Sequence, residues 1–351
     1  MGVFDNILHG DQSLFKNDVA LDFDYIPKLI PHRENEQKHV ATCIKPLFSS
    51  RNARNLFITG GPGIGKTVAC RHVLKEMEEQ TDDIFPVYVN CWQKNTSHKV
   101  VLEICEQIGY KFTQNKKTDE LFKIIAEMIN KNSAVFVFDE IDKAEDLDFL
   151  YTILESIYRK CIILITNYKI WLVELDERIK SRLTPEMLEF KEYTLKETVD
   201  IIKQRAEQAF VQGVWDPKAL ETVAAKAAAA RDIRTGLFLL KEAALIAEER
   251  SNKKVAKEHV EKALEKMTDF SIKKSSDLED ETKFILEVVR KNDGKKIGDL
   301  YREYKKAGGK SSYKTFQRKI AKLDQSKFIS LKKQTGTGGN TTIVNKKITD
   351  F

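Results

Sequence analysis

Gly60-Gly61-Pro62-Gly63-Ile64-Gly65-Lys66-Thr67 follows the apolar run Leu56-Phe57-Ile58 and precedes Val68-Ala69-Cys70-Arg71-His72-Val73-Leu74, which is compatible with helix. A strand, a glycine-rich turn and a helix start at the spacing G-x-x-x-x-G-K-T form the context in which a P-loop binds phosphate. Glycines are needed because backbone N–H groups must approach phosphate oxygens closely, with φ values that a Cβ penalises. Lys66 then reaches the β- and γ-phosphates as a point charge, Thr67 is placed to ligate Mg²⁺, and the helix N-terminus adds its positive end. Gly61 to Val68 is therefore the expected contact segment for ATP or ADP.

The second chemical element is Phe136-Val137-Phe138-Asp139-Glu140-Ile141-Asp142, an acidic group at the end of an apolar strand. Open parallel sheets bind ligands at the C-terminal ends of their strands, which puts Asp139 and Glu140 beside the P-loop. Asp139 suits a hydrated Mg²⁺, and Glu140 suits a general base that polarises the attacking water. One strand later Asn167 follows Leu164-Ile165-Thr166, either orienting the water or γ-phosphate or capping the next turn. Arg178 and Arg182 then stand before the last strand. Arg182 reads as a trans-acting arginine finger or as a surface ion-pair partner, and Arg178 competes for the same role.

Apolar strand-like runs at 56–59, 87–91, 134–138, 162–166 and 187–190 alternate with amphipathic helical stretches at 67–79, 99–108, 118–130 and 147–159. That alternation predicts an α/β P-loop domain with a parallel sheet covered on both faces, over 56–192. Residues 1–55 carry Pro27 and Pro31, which hold the chain extended before a helix near Arg33 to Leu47; this segment reads as a brace or as a linker over the nucleotide site. From 193 to 270 the pattern is all helical, with Arg234 at a helix start where a guanidinium can report phosphate state. Ser271 to Ser276 is polar and aperiodic and reads as a linker.

Residues 271–351 read helix, helix, Gly308-Gly309 turn, helix, then two strands about a Gly336-Thr337-Gly338-Gly339-Asn340 tip, the winged-helix arrangement. Phe316, Ile320 and Leu323 share one face of the third helix, while Lys314, Arg318 and Lys322 share another. From Lys295 to Phe351 fifteen basic residues stand against four acidic ones, a net +11, so the remainder of this +6 chain carries −5. The basic surplus in one module points to duplex DNA, with the helix in the major groove and Lys332 and Lys333 of the hairpin near a minor groove; a winged helix that binds protein is the alternative.

The 351-residue composition suits two or three globular domains. The five widely spaced cysteines suit core thiols better than a disulfide framework. The N-terminal MGVFDNILHGDQ has no basic-then-apolar leader pattern, and no apolar run reaches membrane-spanning length. A cytoplasmic, nucleoid-associated protein without membrane contact is expected.

As a set, Asp24-Tyr25-Ile26-Pro27 with Pro31-His32-Arg33-Glu34, GGPGIGKT, Val89-Asn90-Cys91, VFVFDEID, Ile165-Thr166-Asn167, Ser181-Arg182-Leu183 and Arg234 resemble the archaeal-type origin-recognition initiators. These are ORC-type AAA+ ATPases with a winged helix, and the resemblance runs from about Phe15 to Ile348. It implies that Pro27 and Arg33 lie against the adenine and that Tyr193 and Arg205 contact the nucleotide. It also implies a DNA-touching helical insertion matching roughly Trp92 to Lys117, where Gln114-Asn115-Lys116-Lys117 lacks the usual Pro and Gly. Sensor 2 in that family reads Gly-Asp-x-Arg, whereas here Arg231 replaces the glycine. The implied function is ATP-binding replication initiation at an origin, with slow hydrolysis as a switch, recruitment of the MCM helicase, and other initiator subunits as further partners. An ATP-regulated DNA-binding regulator and a clamp-loader-like or branch-migration ATPase share the core and stand as alternatives.

Overall fold

The structure, a computed structural model, describes residues 13–276, 280–309, 311–325, 329–336 and 339–346. It divides into two compact units, Met1–Lys257 and Glu258–Phe351. The first unit runs α1 (Glu34–Ile44), β1 (Leu56–Thr59), α2 (Lys66–Glu78), β2 (Ile84–Asn90), α3 (Ser97–Gln107), α4 (Thr118–Ile129) and β3 (Ser133–Asp139). It continues α5 (Asp148–Ser156), β4 (Lys160–Thr166), α6 (Trp171–Glu174), α7 (Glu177–Leu183), β5 (Glu186–Glu189), α8 (Leu195–Ala209), α9 (Pro217–Ala230) and α10 (Ile233–Glu249).

The five strands form one sheet in the order β2-β3-β4-β1-β5, with every pair parallel. Strand periodicity divides the sheet residues between two cores. Phe57, Val87, Val89, Phe136, Phe138, Ile162 and Leu164 face the helices α3, α4 and α5. Leu56, Ile58, Ile84, Val135, Val137, Ile163 and Ile165 pack with residues of α1 and α2. Because both faces are covered, β1 and β3 are buried along their whole length, which is why they read as continuous apolar runs. At the sheet edges β2 and β5 alternate or relax in burial, and Met187 stands largely in solvent. The P-loop strand β1 lies inside the sheet with β4 on one side, so the loop and the ends of β3 and β4 converge at one end.

The helical segment α8–α10 packs closely because its contact positions are small. A Cβ on Gly236 would come within 2.3 Å of the Ile202 side chain and 3.0 Å of the Ala227 Cβ, which explains the alanine-rich α9. The N-terminal segment is tied to these helices. Lys16 N–H donates to the Ala209 carbonyl at 2.7 Å, Val211 N–H donates to the Leu14 carbonyl at 3.0 Å, and Phe15 lies 4.9 Å from the Phe210 ring.

α11 (Lys257–Ser276) lies in the second unit apart from its first residue. The linker expected at Ser271 to Ser276 is instead the last part of this helix. Nothing between Lys257 and Ser276 is Pro or Gly, so a polar sequence carries the helix on without interruption. Beyond it come α12 (Asp280–Lys291), β6 (Lys295–Lys296), α13 (Ile297–Lys306), α14 (Tyr313–Gln325), β7 (Ile329–Gly336) and β8 (Gly339–Lys346). The small sheet is antiparallel in the order β6-β8-β7, and the register Gly336↔Gly339 carries the hairpin ladder to its tip. Phe316, Ile320 and Leu323 of α14 are buried with Ile285, Val289, Leu300 and Tyr304, on the helix face that their spacing predicts. The two-residue strand β6 has no counterpart in the sequence reading; its pairing with Ile343 and Val344 is non-local and leaves no periodic trace in two lysines.

The Arg231 departure from glycine has a measurable local consequence. Arg231 caps α9 in the left-handed region, with φ 54° and ψ 29°, a position that favours glycine. Its guanidinium reaches Glu192 at 3.2 Å, but both side chains are more than half exposed, so that pair contributes at most ~1 kcal/mol. The left-handed backbone costs a non-glycine residue roughly 1–2 kcal/mol, so the backbone effect exceeds or matches the ion pair. Arg231→Gly is therefore expected to raise the first unit's unfolding free energy by up to about 1 kcal/mol in a denaturant titration, and an equal loss would show that the Glu192 ion pair outweighs the strain.

Candidate nucleotide and nucleic-acid sites

The GGPGIGKT segment leaves β1 and turns into α2 through two left-handed glycines, Gly63 at φ 67° and Gly65 at φ 91°. Space as well as conformation excludes a side chain there: a Cβ on Gly63 would fall 1.8 Å from an Asp232 carboxylate oxygen, and one on Gly65 would fall 2.8 Å from the Tyr193 hydroxyl. Ile233 N–H also donates to the Gly63 carbonyl at 3.2 Å, so the start of α10 closes over the loop. Gly61 and Pro62 stay on the outer side, Ile64 is buried, and Val68 is half-buried.

Lys66 is buried with its ammonium turned into this turn. It donates to the carbonyls of Gly60 at 3.0 Å and Gly61 at 2.5 Å and to Asn167 Oδ1 at 2.8 Å. Burial draws its pKa down to about 8; Asp139 opposes the shift and the Arg234 charge adds to it. Three neutral acceptors hold the ammonium, and the arrangement favours an incoming anion.

Asp139 ends β3 with one carboxylate oxygen shared between two hydroxyls, Thr67 at 2.5 Å and Tyr88 at 2.9 Å. The other oxygen accepts Glu140 N–H at 2.9 Å, which belongs to the left-handed residue that ends the strand at φ 52°. Burial and the Asp139 charge push the Tyr88 hydroxyl far above its ordinary range, so it remains a donor. The hard oxygen donors of Thr67 and Asp139 suit a small divalent cation. Asp142 accepts from Thr166 at 2.7 Å and pairs with Lys143 at 2.8 Å, fixing the turn after Glu140.

Arg33 joins the N-terminal segment to this loop. Its Nη2 donates to the Ile64 carbonyl at 3.0 Å and the Lys191 carbonyl at 2.5 Å, Nε reaches Ile64 at 3.2 Å, and Nη1 pairs with Glu36 at 2.8 Å. The guanidinium lies 4.0 Å over the Tyr193 ring and 5.1 Å over that of Phe190. Pro27 is buried nearby in sequence. Arg205 donates to the Ala20 carbonyl at 3.1 Å and sits 5.2 Å over the Tyr25 ring, and burial lowers its pKa. Both arginines are thus spent on protein groups here, and both tie the N-terminal segment to the rest of the first unit.

Arg234 starts α10, where its N–H donates to Asp232 Oδ1 at 2.8 Å. Arg182 pairs with Glu155, lies 5.3 Å over Tyr151 and donates to the Arg178 carbonyl at 3.2 Å, while Arg178 pairs with Asp176 at 3.1 Å. These two stand on α7 against α5, engaged away from the loop of their own chain. In the 92–117 region, α3 buries Val100, Val101, Ile104 and Cys105, while Trp92 and Phe112 are exposed. On α14 Lys314 and Arg318 are exposed on the side opposite the buried face. The side chains of Lys322, Lys332 and Lys333 and the tip residues Thr337 and Gly338 lie outside the described residues.

An AAA domain family model matches residues 50–171, and a Cdc6 AAA+ ATPase-type lid domain model matches residues 199–265. The chain is 31% identical over 344 residues to the ORC1-type DNA replication protein 1 of Archaeoglobus fulgidus, covering 92% of this chain and 84% of that protein. It is 34% identical over 263 residues to the ORC1-type DNA replication protein 1 of Sulfurisphaera tokodaii, covering 71% and 66%. The solved structure of the Aeropyrum pernix ORC1 protein in complex with DNA matches with a TM-score of 0.73 at 28% identity, over 95% of this chain and 93% of that one. The chain belongs to the ORC1-type DNA replication proteins. It carries the AAA+ core of that family, and no helix among the described residues is long and apolar enough to cross a membrane.

Sequence reading of this ORC1-type protein did not single out Tyr88 or Asp232. Tyr88 sits on β2 in Val87-Tyr88-Val89-Asn90, where an aromatic reads as ordinary strand filling, and only the pairing of β2 with β3 brings it to Asp139. Asp232 caps α10, and its approach to Gly63 is tertiary. Arg33 holds two carbonyls and an acid in a planar fork that an ammonium cannot reproduce. Arg33→Lys is expected to weaken ATP-analogue binding by about tenfold or more, read by fluorescence titration, with the circular dichroism of the fold retained; unchanged affinity would remove Arg33 from the loop's support.

Proposed function

We propose that the protein is an ATP-dependent replication initiator that holds duplex origin DNA and helps to recruit the replicative MCM helicase, with slow ATP hydrolysis as its switch. The observation that carries the reading is that the P-loop Lys66 and Thr67 are hydrogen-bonded to Asn167 and Asp139 at the ends of β4 and β3, in a chain whose second unit exposes Lys314 and Arg318 on one helix. The solved ORC1 relative in complex with DNA supports the DNA-binding part.

In this reading the N–H groups from Gly61 to Val68 cradle the phosphates, and Lys66 exchanges its carbonyl partners for phosphate oxygens. Thr67 and Asp139 would hold Mg²⁺, which supplies charge neutralisation on the phosphates. Glu140 takes a proton from the attacking water, and Asn167 orients that water or the γ-phosphate. Pro27, Arg33, Tyr193 and Arg205 shape the adenine side, Arg234 reports phosphate state from the lid, and Arg182 acts on the nucleotide of an adjoining initiator subunit. Lys314, Arg318 and Lys322 meet the major groove, and Lys332 and Lys333 the adjacent minor groove.

Lys66→Ala is expected to abolish nucleotide retention on a desalting column. Glu140→Gln is expected to retain ATP and release no phosphate; turnover at the parent rate would remove Glu140 from the base role. Lys314→Ala with Arg318→Ala is expected to lower the slope of log affinity against log salt by about two, one for each cation taken off a phosphate. Unchanged affinity across the titration would place the DNA-binding face elsewhere.

A further inference from the structure

At the end of the sheet opposite the P-loop, three side chains with metal-ligating atoms come together from two elements. Among the described residues His39, Cys43 and Glu186 form such a cluster, with their ligand atoms within 4.8 Å of one another. His39 and Cys43 are four residues apart on α1, so one helix face presents both. Glu186 is the first residue of β5, paired with Leu56 at the start of β1, and its backbone N–H is fixed to the Asn55 carbonyl at 2.8 Å.

We propose that His39 Nε2, Cys43 Sγ and Glu186 Oε2 form a binding site for a borderline divalent cation, zinc first, with solvent as the fourth ligand. The geometry is close to what such an ion needs. His39 Nε2 lies 3.0 Å from Glu186 Oε2, and Cys43 Sγ lies 3.6 Å from the same oxygen. Tetrahedral zinc with its usual bond lengths separates nitrogen, oxygen and sulfur ligands by roughly 3.3–3.7 Å, so side-chain shifts of about an ångström or less bring all three atoms, now within 4.8 Å of one another, into place. A thiol with an imidazole selects zinc over magnesium or calcium, which take oxygen donors.

The surroundings complete the site. Arg54 donates to Glu186 Oε1 at 2.6 Å, which holds that oxygen and turns Oε2 toward α1, the outer support that ligating carboxylates commonly have. Cys43 is buried while His39 and Glu186 remain about one-third exposed, so an ion can arrive from solvent and keep a water. On binding, the Cys43 thiol loses its proton to solvent as the metal–sulfur bond forms, and the neutral imidazole donates its Nε2 lone pair. The consequence is mechanical: the ion pins the linker helix α1 to the edge strand β5, and α1 begins directly after Arg33, which grips the P-loop at Ile64.

The test uses the full-length reduced protein, chelator-treated, incubated with zinc chloride and desalted, with bound metal counted by mass spectrometry. A parallel titration with cobalt reads the thiolate-to-metal charge-transfer absorption. One zinc per chain is expected, together with that absorption, in the parent and in Cys105→Ser. Cys43→Ser is expected to lose the absorption, and both Cys43→Ser and His39→Gln to bind zinc at least about tenfold more weakly. His39 is partly exposed, so His39→Gln decides the matter if the cysteine variant fails to fold. Retention of less than one zinc by the parent, or unchanged zinc affinity in folded His39→Gln, would overturn the site and leave Glu186 as a carboxylate shared between an imidazole and Arg54.

Discussion

The buried ammonium of Lys66 constrains everything around it. A lysine brought out of water is expensive unless anions or several acceptors meet it, and here three neutral oxygens do so while burial draws its pKa down to about 8. Those acceptors exist only because β1 and β4 are neighbours: Gly60 and Gly61 leave β1, and Asn167 leaves β4. In the proposed function a triphosphate adds anionic charge beside an ammonium held by neutral acceptors, so nucleotide binding stabilises the arrangement. Sheet order, glycine placement and the covering lid all serve to hold this one cation in place.

From that cation, connections lead outward along a few named contacts. Asn167 ties the ammonium to β4, Thr67 ties the same turn to Asp139 on β3, and Tyr88 braces Asp139 from β2. Arg33 grips the loop from the N-terminal side, while Ile233 and Asp232 meet Gly63 from the lid. A change in phosphate state therefore has short physical routes into three parts of the first unit. The proposed switch requires such routes, because a ligand shifts an equilibrium only through its differential contacts with two states.

Much of this is legible in the amino-acid sequence. The P-loop and the acidic strand end carry local signatures, because glycine conformation and strand burial are imposed by neighbours in sequence. The fully buried β1 and β3 stood out for the same reason. What escaped depends on distant pairing or on the absence of a stop. Tyr88 acquires meaning only through β2–β3 register, and β6 only through β8. Ser271 to Ser276 looked like a linker because polarity resembles a loop, yet without Gly or Pro the helix simply continues. The α7 segment was read for its arginines and not as a helix, since seven residues give too little periodicity.

The claim at the centre of the account is that this ORC1-type chain joins nucleotide state to the place where replication begins. Genome-wide mapping of its occupancy in its native cells tests that claim most directly. The account predicts that bound sites concentrate at the loci where DNA synthesis starts. Occupancy scattered over promoters, with no enrichment at those starting loci, would contradict it and assign the same fold to transcriptional control.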